Sequence, residues 1–323
     1  MNNEYHPVIT VPVLAHYVHT FGQDLLARYG ERIHKIAIDA DFTCPNRDGT
    51  KGRGGCSFCN NASFSPNGLR PAPVTVQLES GRRVIRKRTG ARRYLAYFQA
   101  YSNTYADINI LRSVYDEALA QPDVAGLSVG TRPDCVPDEV LKLLADYRDQ
   151  GYEVWLELGL QSSFDATLAQ VNRGHDFADY RKAVRAAHRY GIPVCTHLMA
   201  GLPGEDKSHV MTTLNRVLDK GVAGLKIHPL HVVKGTRLAN EWRRGEYLPL
   251  AFNEYIEMTC DVIEMTPPHV VFHRLTGTAP MHLLLAPMWC AKKWQVLNAL
   301  RDKLNQRGTC QGSQLHTETA CTL

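Results

Sequence analysis

The sequence has no long hydrophobic run: nothing in it approaches the ~20 consecutive apolar residues that a membrane span needs. It also has no low-complexity tract, and no internal repeat strong enough to mark a solenoid. Glycine (24) and proline (17) are ordinary for 323 residues, with 44% apolar and 21% charged side chains. Collagen-like, fibrous and disordered classes are therefore excluded. The mildly apolar start, Pro7 to Val18, has no basic flank before it and carries His6 and His16, so it does not read as a signal peptide. The expectation is a soluble, cytoplasmic protein of one large or two medium domains.

Acid is missing where base is abundant. The chain carries 37 basic and 32 acidic residues, a net charge of +5 with neutral histidine. Arg82, Arg83, Arg86, Lys87, Arg88, Arg92 and Arg93 follow one another with no acid between them. Such a run attracts an anionic polymer such as RNA through phosphate contacts, or is a solvated helix face. The charge pattern alone does not separate the two.

Nine cysteines, an odd number without an export signal, argue against a disulfide framework. Cys44, Cys56 and Cys59 cluster within 16 residues, whereas Cys135, Cys195, Cys260, Cys290, Cys310 and Cys321 are scattered. The scattered ones read as small buried hydrophobes. The cluster reads as metal-binding or catalytic.

Short apolar runs alternate with amphipathic segments from about residue 32 to residue 229. The runs Ile33–Ile38, Tyr94–Gln99, Gly126–Gly130, Glu153–Gly159, Val194–Met199 and Gly224–His228 are expected strands. Ile108–Ala120, Asp138–Gln150, Phe177–Tyr190 and Ser208–Lys220 are expected helices. Gly151, Gly191 and Gly221 stand where helix C-caps belong. Six β-α repeats imply a parallel sheet with helices outside: a partial (β/α)6 TIM-like barrel, with a doubly wound sheet as the alternative. The expected organisation is an N-terminal segment (1–31), a core barrel (32–232), a C-terminal extension (233–307) containing an apolar run Val270–Leu275, and a flexible tail (308–323).

The richest segment follows the first expected strand, from Asp41 to Asn60. Four glycines within Gly49–Gly55 permit close backbone approach. The three cysteines are spaced Cys, eleven residues, Cys, two residues, Cys, at the strand end where α/β active sites sit. Thiolates select zinc or iron–sulfur clusters. A structural zinc wants four protein ligands, and no further Cys or His follows Cys59 until Cys135. Three cysteines on a cubane cluster would leave one iron open; a zinc site completed by a remote residue is the other reading.

With this loop the chain resembles the radical S-adenosylmethionine (SAM) superfamily, in the branch that holds the catalytic subunit of Elongator and the YhcC-type proteins. The superfamily's usual three residues between the first two cysteines are eleven here, which resembles the Elongator-type variant. Further segments match in order. Tyr97–Thr104 stands where relatives carry a glycine-rich turn at the SAM amino group, with Gln99 and Ala100 in place of glycine. Gly130–Asp134 resembles the third-strand motif, and Glu157–Ser162 with Asn172–His175 the fourth. By resemblance, Gln161 and Arg173 contact the methionine and ribose parts of SAM. Leu198–Glu205 resembles the fifth-strand turn beside the adenine, which implicates Gly201 and Glu205. Leu225–Leu230 resembles the sixth-strand motif.

Each motif also has an ordinary structural reading. Glu205 with Asp206 can begin a helix, Arg173 can be a surface cation, and Gln161 can satisfy backbone groups. What the resemblance implies is a radical SAM type fold in which Cys44, Cys56 and Cys59 hold three irons of a [4Fe–4S] cluster. The open iron chelates SAM, and an electron from a reductant such as flavodoxin or ferredoxin releases a 5′-deoxyadenosyl radical that abstracts hydrogen. The Elongator-like branch implies the wobble-uridine side chain of tRNA as substrate, although 323 residues leave no room for Elongator's acetyltransferase domain. A small-molecule or protein substrate is the second reading, and a non-enzymatic metal-binding protein the third.

Overall fold

A computed structural model describes residues 13–60 and 72–315. Along the chain, helix α1 (Phe21–Tyr29) precedes β1 (Ile33–Ile38), α2 (Val74–Thr89), β2 (Arg93–Phe98), α3 (Ile108–Leu119) and β3 (Val124–Thr131). There follow α4 (Asp138–Asp149), β4 (Glu153–Gln161), α5 (Asp165–Gln170), α6 (Phe177–Arg189), β5 (Val194–Ala200), α7 (Lys207–Leu218) and β6 (Gly224–Pro229). The C-terminal part contains β7 (Val232–Val233), α8 (Arg237–Arg243), α9 (Phe252–Glu264), β8 (Val271–Arg274), β9 (Leu284–Ala286) and α10 (Lys293–Arg307).

Seven strands form one parallel sheet in the order β1-β2-β3-β4-β5-β6-β8, curled into a partial barrel. The six expected strands are all present. A seventh, β8, comes from the apolar run in the C-terminal extension and pairs with β6. Every residue of β3 is buried, and all of β4 but Gln161. That two-sided burial is why these strands read as near-continuous apolar runs. Outside the sheet, the apolar stripes of α2, α3, α4, α6, α7, α9 and α10 complete the main core.

The open seam between β1 and β8 is closed from below. Thr20 caps α1 in a reciprocal capping box with Gln23 and bridges to Phe272, whose amide donates to His19 O (2.9 Å). Phe21 and Leu25 then plug the base of the barrel against Ile33, Leu95, Ala125, Trp155, Cys195 and Val271. Arg28 and Tyr29 anchor the helix to Glu153 at the start of β4 (2.6–2.8 Å).

The segment from Gly308 departs from the expected flexible tail as far as Leu315. Gln311 N donates to Tyr17 O (2.9 Å), its side chain donates to Val270 O (2.8 Å), and Cys310 and Gln311 are both buried. A polar composition signals solvent only when its donors lack partners, and here the seam supplies them. Residues 316–323, which include Cys321, lie outside the described residues, as does the start of the chain.

Candidate active site

The barrel interior is layered. Above the apolar plug lies a charged layer centred on Glu157 of β4, whose side chain is fully buried. Lys35 of β1 and Lys226 of β6 each pair with one carboxylate oxygen. Ser128 Oγ (2.6 Å) and His197 Nε2 (2.8 Å) donate to the same group, and Lys226 also donates to Tyr97 OH (2.8 Å). Lys35 donates to His273 Nδ1 (2.9 Å), which makes that nitrogen an acceptor and the ring neutral. Burial alone would raise the Glu157 carboxyl, but the two ammonium groups hold it well below the usual carboxylate range. Glu157, Cys195 and His197 bring ligand atoms within 4.8 Å of one another. The lysines already occupying both carboxylate oxygens make that trio a poor cation site.

Over this layer, at the C-terminal ends of the strands, opens a cavity of about 230 Å³. Its walls bring together Cys44, Cys56, Cys59, Gln99, Gln161 and Arg173 of the expected site. Gly201 and Glu205 do not line it. Gly201, at φ +86°, lies against Leu250 and accepts from Tyr247 OH (2.8 Å). Glu205 receives the Ser162 hydroxyl and precedes Asp206, the N-cap of α7, whose carboxylate accepts from the amides of Ser208 and His209. The helix-start role falls to Asp206, while the Glu205 side chain is tied to Ser162 just after β4.

The eleven-residue spacing has a local cause. After Cys44 the chain makes a closed finger: Lys51 N donates to Pro45 O (2.8 Å), Gly49 N to Gly52 O (3.1 Å) and Gly55 N to Asn46 O (2.9 Å). The finger returns Cys56 to the rim it left at Cys44. Ser57 N then donates to Val171 O and Leu238 N to Ser57 O, both at 2.9 Å, which stitches the loop between α5 and α8.

The cysteines sit among donors. Arg173 Nη1 lies 3.4 Å and Asn46 Nδ2 3.8 Å from Cys56 Sγ. Burial and the neighbouring Cys56 push Cys59 up to about 11. Arg173 is placed by its contact to Gly159 O (2.6 Å), and a Cβ at Gly159 would stand 2.7 Å from the guanidinium. Arg132, itself braced by Asp134 (2.9 Å), donates to Arg173 O (2.6 Å). The third-strand motif thus works as a support for Arg173.

Strain gathers on the same rim. The described non-glycine residues at positive φ are Asp41, Tyr101, Gln161 and Asn172, all in the segments after β1 and β2 or at and after the end of β4. Gln161 sits at φ +79° where the β4–β5 register shifts, and its Oε1 is buried without a partner among the described residues. Arg173 Nε is in the same condition. Strained backbone and unpartnered polar atoms beside three thiols describe a cradle that fits a polar group. The donor set fits an iron–sulfur cluster with an open iron, hydrogen-bonded at one sulfur by Arg173 and Asn46.

Several cavity residues went unrecognised as such in the sequence: Tyr97, His197, Met199, His228, His231 and Arg274. A usable signal was present for some of them. Lys35, Glu157, His197 and Lys226 are charged or polar positions within strands made mostly of apolar residues.

An enzyme of the radical SAM type is what this fold and rim define, and comparison bears that out. Residues 47–217 match the family model of the radical SAM superfamily, and residues 222–306 that of the radical SAM C-terminal domain. The chain belongs to the radical SAM superfamily, whose cofactors are a [4Fe–4S] cluster and SAM. It is 48% identical over 298 residues to protein YhcC of Escherichia coli (strain K12), covering 92% of this chain and 95% of that one. It is 30% identical over 164 residues to a tRNA uridine(34) acetyltransferase of Dehalococcoides mccartyi, covering 50% of this chain and 35% of that protein. The Methanocaldococcus infernus Elp3 structure lacking residues 1–46 superposes with a TM-score of 0.64 at 18% identity, over 86% of this chain and 64% of that one. No helix among the described residues is long and apolar enough to cross a membrane.

Proposed function

We propose that Cys44, Cys56 and Cys59 ligate three irons of a [4Fe–4S] cluster, that Gln99, Gln161 and Arg173 receive SAM, and that the substrate is the wobble uridine of tRNA. The observation that carries the substrate is the 30% identity to a tRNA uridine(34) acetyltransferase over half of this chain. When bound, the cluster and SAM supply a carbon-centred radical that abstracts hydrogen. This chain's residues do the rest. Arg173 and Asn46 hydrogen-bond the Cys56 sulfur, Gln161 offers its oxygen, unpartnered among the described residues, and Phe58 and Leu230 line the cavity with apolar surface backed by Leu202, Val232 and Leu238. A flavodoxin- or ferredoxin-type protein supplies the electron.

A small-molecule or protein substrate is the second reading, and one observation favours it. Arg86, Lys87 and Arg88 close α2 and Arg93 opens β2, so the basic run lies at the end of the barrel opposite the cavity.

The test is anaerobic reconstitution with iron and sulfide, followed by dithionite and SAM, with and without bulk tRNA. Wild type should bind iron and release 5′-deoxyadenosine, with tRNA stimulating release. Cys56→Ala should lose both iron and product to background, while Cys260→Ala, remote from the rim, keeps its iron. Zinc in place of iron would return the loop to a structural role, and stimulation by a small metabolite pool but not by tRNA would favour the second reading.

A further inference from the structure

Strand β8 slips against β6. Leu225 faces Phe272 and the next pair is Lys226 with Arg274, so His273 is the extra residue. A bulge of this kind re-aims side chains. His273 and Arg274, adjacent in sequence, both turn into the barrel: His273 joins the Glu157 layer, and Arg274 lines the cavity floor above it.

The charges at that level do not balance. Burial lowers Lys226 to about 7, yet Lys35 and Arg274 still face one carboxylate, Glu157, whose two oxygens are taken by the lysines. Arg274 makes no ion pair and no side-chain hydrogen bond with any described residue. A partly buried guanidinium left so is costly unless something pairs with it. Around it stand His197, His228 and His231, all lining the cavity. Burial holds all three below the ordinary imidazole range, His197 at about 4, with the Arg274 charge adding to the effect. They are neutral and add no further charge; the single N–H of His197 is spent on Glu157, which leaves His228 and His231 as the rings able to donate. His231 Nδ1 is buried with no partner among the described residues.

We infer that the cavity floor is a receptor for an anionic group of the substrate, a carboxylate or a phosphate, gripped by Arg274 with His228 and His231 beside it. The inference rests on the cavity being the substrate's site, and it narrows the substrate to one that carries such a group close to the reacting carbon. The Arg274 fork matches either oxyanion bidentately. Arg173, 3.4 Å from Cys56 Sγ, is the cation of the cysteine end, and Arg274, in register with Lys226, that of the floor.

The experiment uses the full-length, anaerobically reconstituted protein at fixed ionic strength, titrated with inorganic phosphate or acetate against a chloride control. The readouts are the dissociation constant and the thermal midpoint. At least one of the two anions should bind wild type saturably. Phosphate alone points to a phosphorylated substrate, acetate alone to a carboxylated one, and either result supports the floor as receptor. Arg274→Gln should weaken that anion about tenfold or more, with Arg274→Lys intermediate. Without anion, Arg274→Gln should melt at or above wild type, because an uncompensated cation has been removed.

No saturable response in wild type, or an equal response in Arg274→Gln, would overturn the inference. So would a midpoint several degrees lower in Arg274→Gln, which would show the guanidinium braced by the protein. Loss of SAM binding in Arg274→Gln would also overturn it, by placing Arg274 in the cofactor's site. Absence of cluster or deoxyadenosine in wild type fells the enzymatic reading instead, and leaves the anion titration legible on its own.

Discussion

The lower and upper halves of the barrel interior are built from the same strands to opposite specifications. Below, Phe21 and Leu25 meet Leu95, Trp155 and Val271 in an apolar plug. In the middle, Glu157 is satisfied by four donors, Lys35, Ser128, His197 and Lys226. Above, Gln161 Oε1, Arg173 Nε and His231 Nδ1 have no partner among the described residues, and the four described non-glycine residues at positive φ lie in the segments after β1 and β2 or at and after the end of β4. The lower two layers spend most of their interactions on themselves, although His273 Nε2 is buried there without a partner among the described residues. The top layer is left unfinished, and an unfinished polar surface in an otherwise completed fold marks where a ligand is expected.

The sharpest way to break this comparison is to make the middle layer as unfinished as the top. Glu157→Gln keeps the shape and removes the charge that Lys35 and Lys226 share. It should cost about 3–5 kcal/mol at neutral pH, read by denaturant unfolding, since two buried ammonium groups lose their counter-ion. The pH dependence follows with a defined sign. The folded carboxyl titrates well below its unfolded value of about 4.3, so between the two the unfolded chain binds more protons. The stabilisation is complete above the unfolded value and is lost as pH falls toward the folded one. Glu157→Gln should lack that acid limb; an identical limb in the variant would show that Glu157 is not its source.

A smaller effect should come from the plug. Leu25→Ala removes a fully buried side chain from a well-filled base and should cost about 2–4 kcal/mol. Iron content after reconstitution and deoxyadenosine yield per iron should stay at wild-type level, because the lesion lies beneath the Glu157 layer. A lost cluster in a still-folded Leu25→Ala protein would mean that base and rim are one cooperative unit.

The same division explains what the residues disclosed. Six strands were legible because both faces are buried and helices with glycine stops separate them; Gly151, Gly191 and Gly221 all hold the positive φ expected of a stop. The cysteine loop was legible because its chemistry is local: three thiols and four glycines within one finger. Helix α1 was missed despite its Thr20–Gln23 box, since Gly22 in the first turn weakens the helix signal. β8 was read only as a strand-like run, and Arg274 not at all, because a bulge is set by pairing with a strand nearly fifty residues earlier and leaves no mark on its own sequence. Gly201 and Glu205 were drawn in by resemblance and do not line the cavity; the Glu205 carboxylate accepts from Ser162, and Asp206 caps α7.

The basic run tests the comparison from outside, and the smallest effect is expected there. Arg82 is held by Asp123 (2.6 Å) and Arg93 by Glu31 (3.1 Å), so part of the run is already neutralised. Arg86, Lys87 and Arg88 remain exposed at the end of α2. They are separated from the rim by the length of β2, roughly 17 Å at 3.3 Å per residue. Reversing all three to glutamate should move stability by no more than about 0.5 kcal/mol and leave tRNA-independent deoxyadenosine release unchanged. An RNA that enters the cavity from above and extends away from the mouth does not reach them, so the salt dependence of tRNA binding should also keep its slope. A slope smaller by about two to three, roughly one for each phosphate contact removed, would instead show that a bound RNA runs down the outside of the barrel past α2, with the base of the molecule contributing to recognition after all.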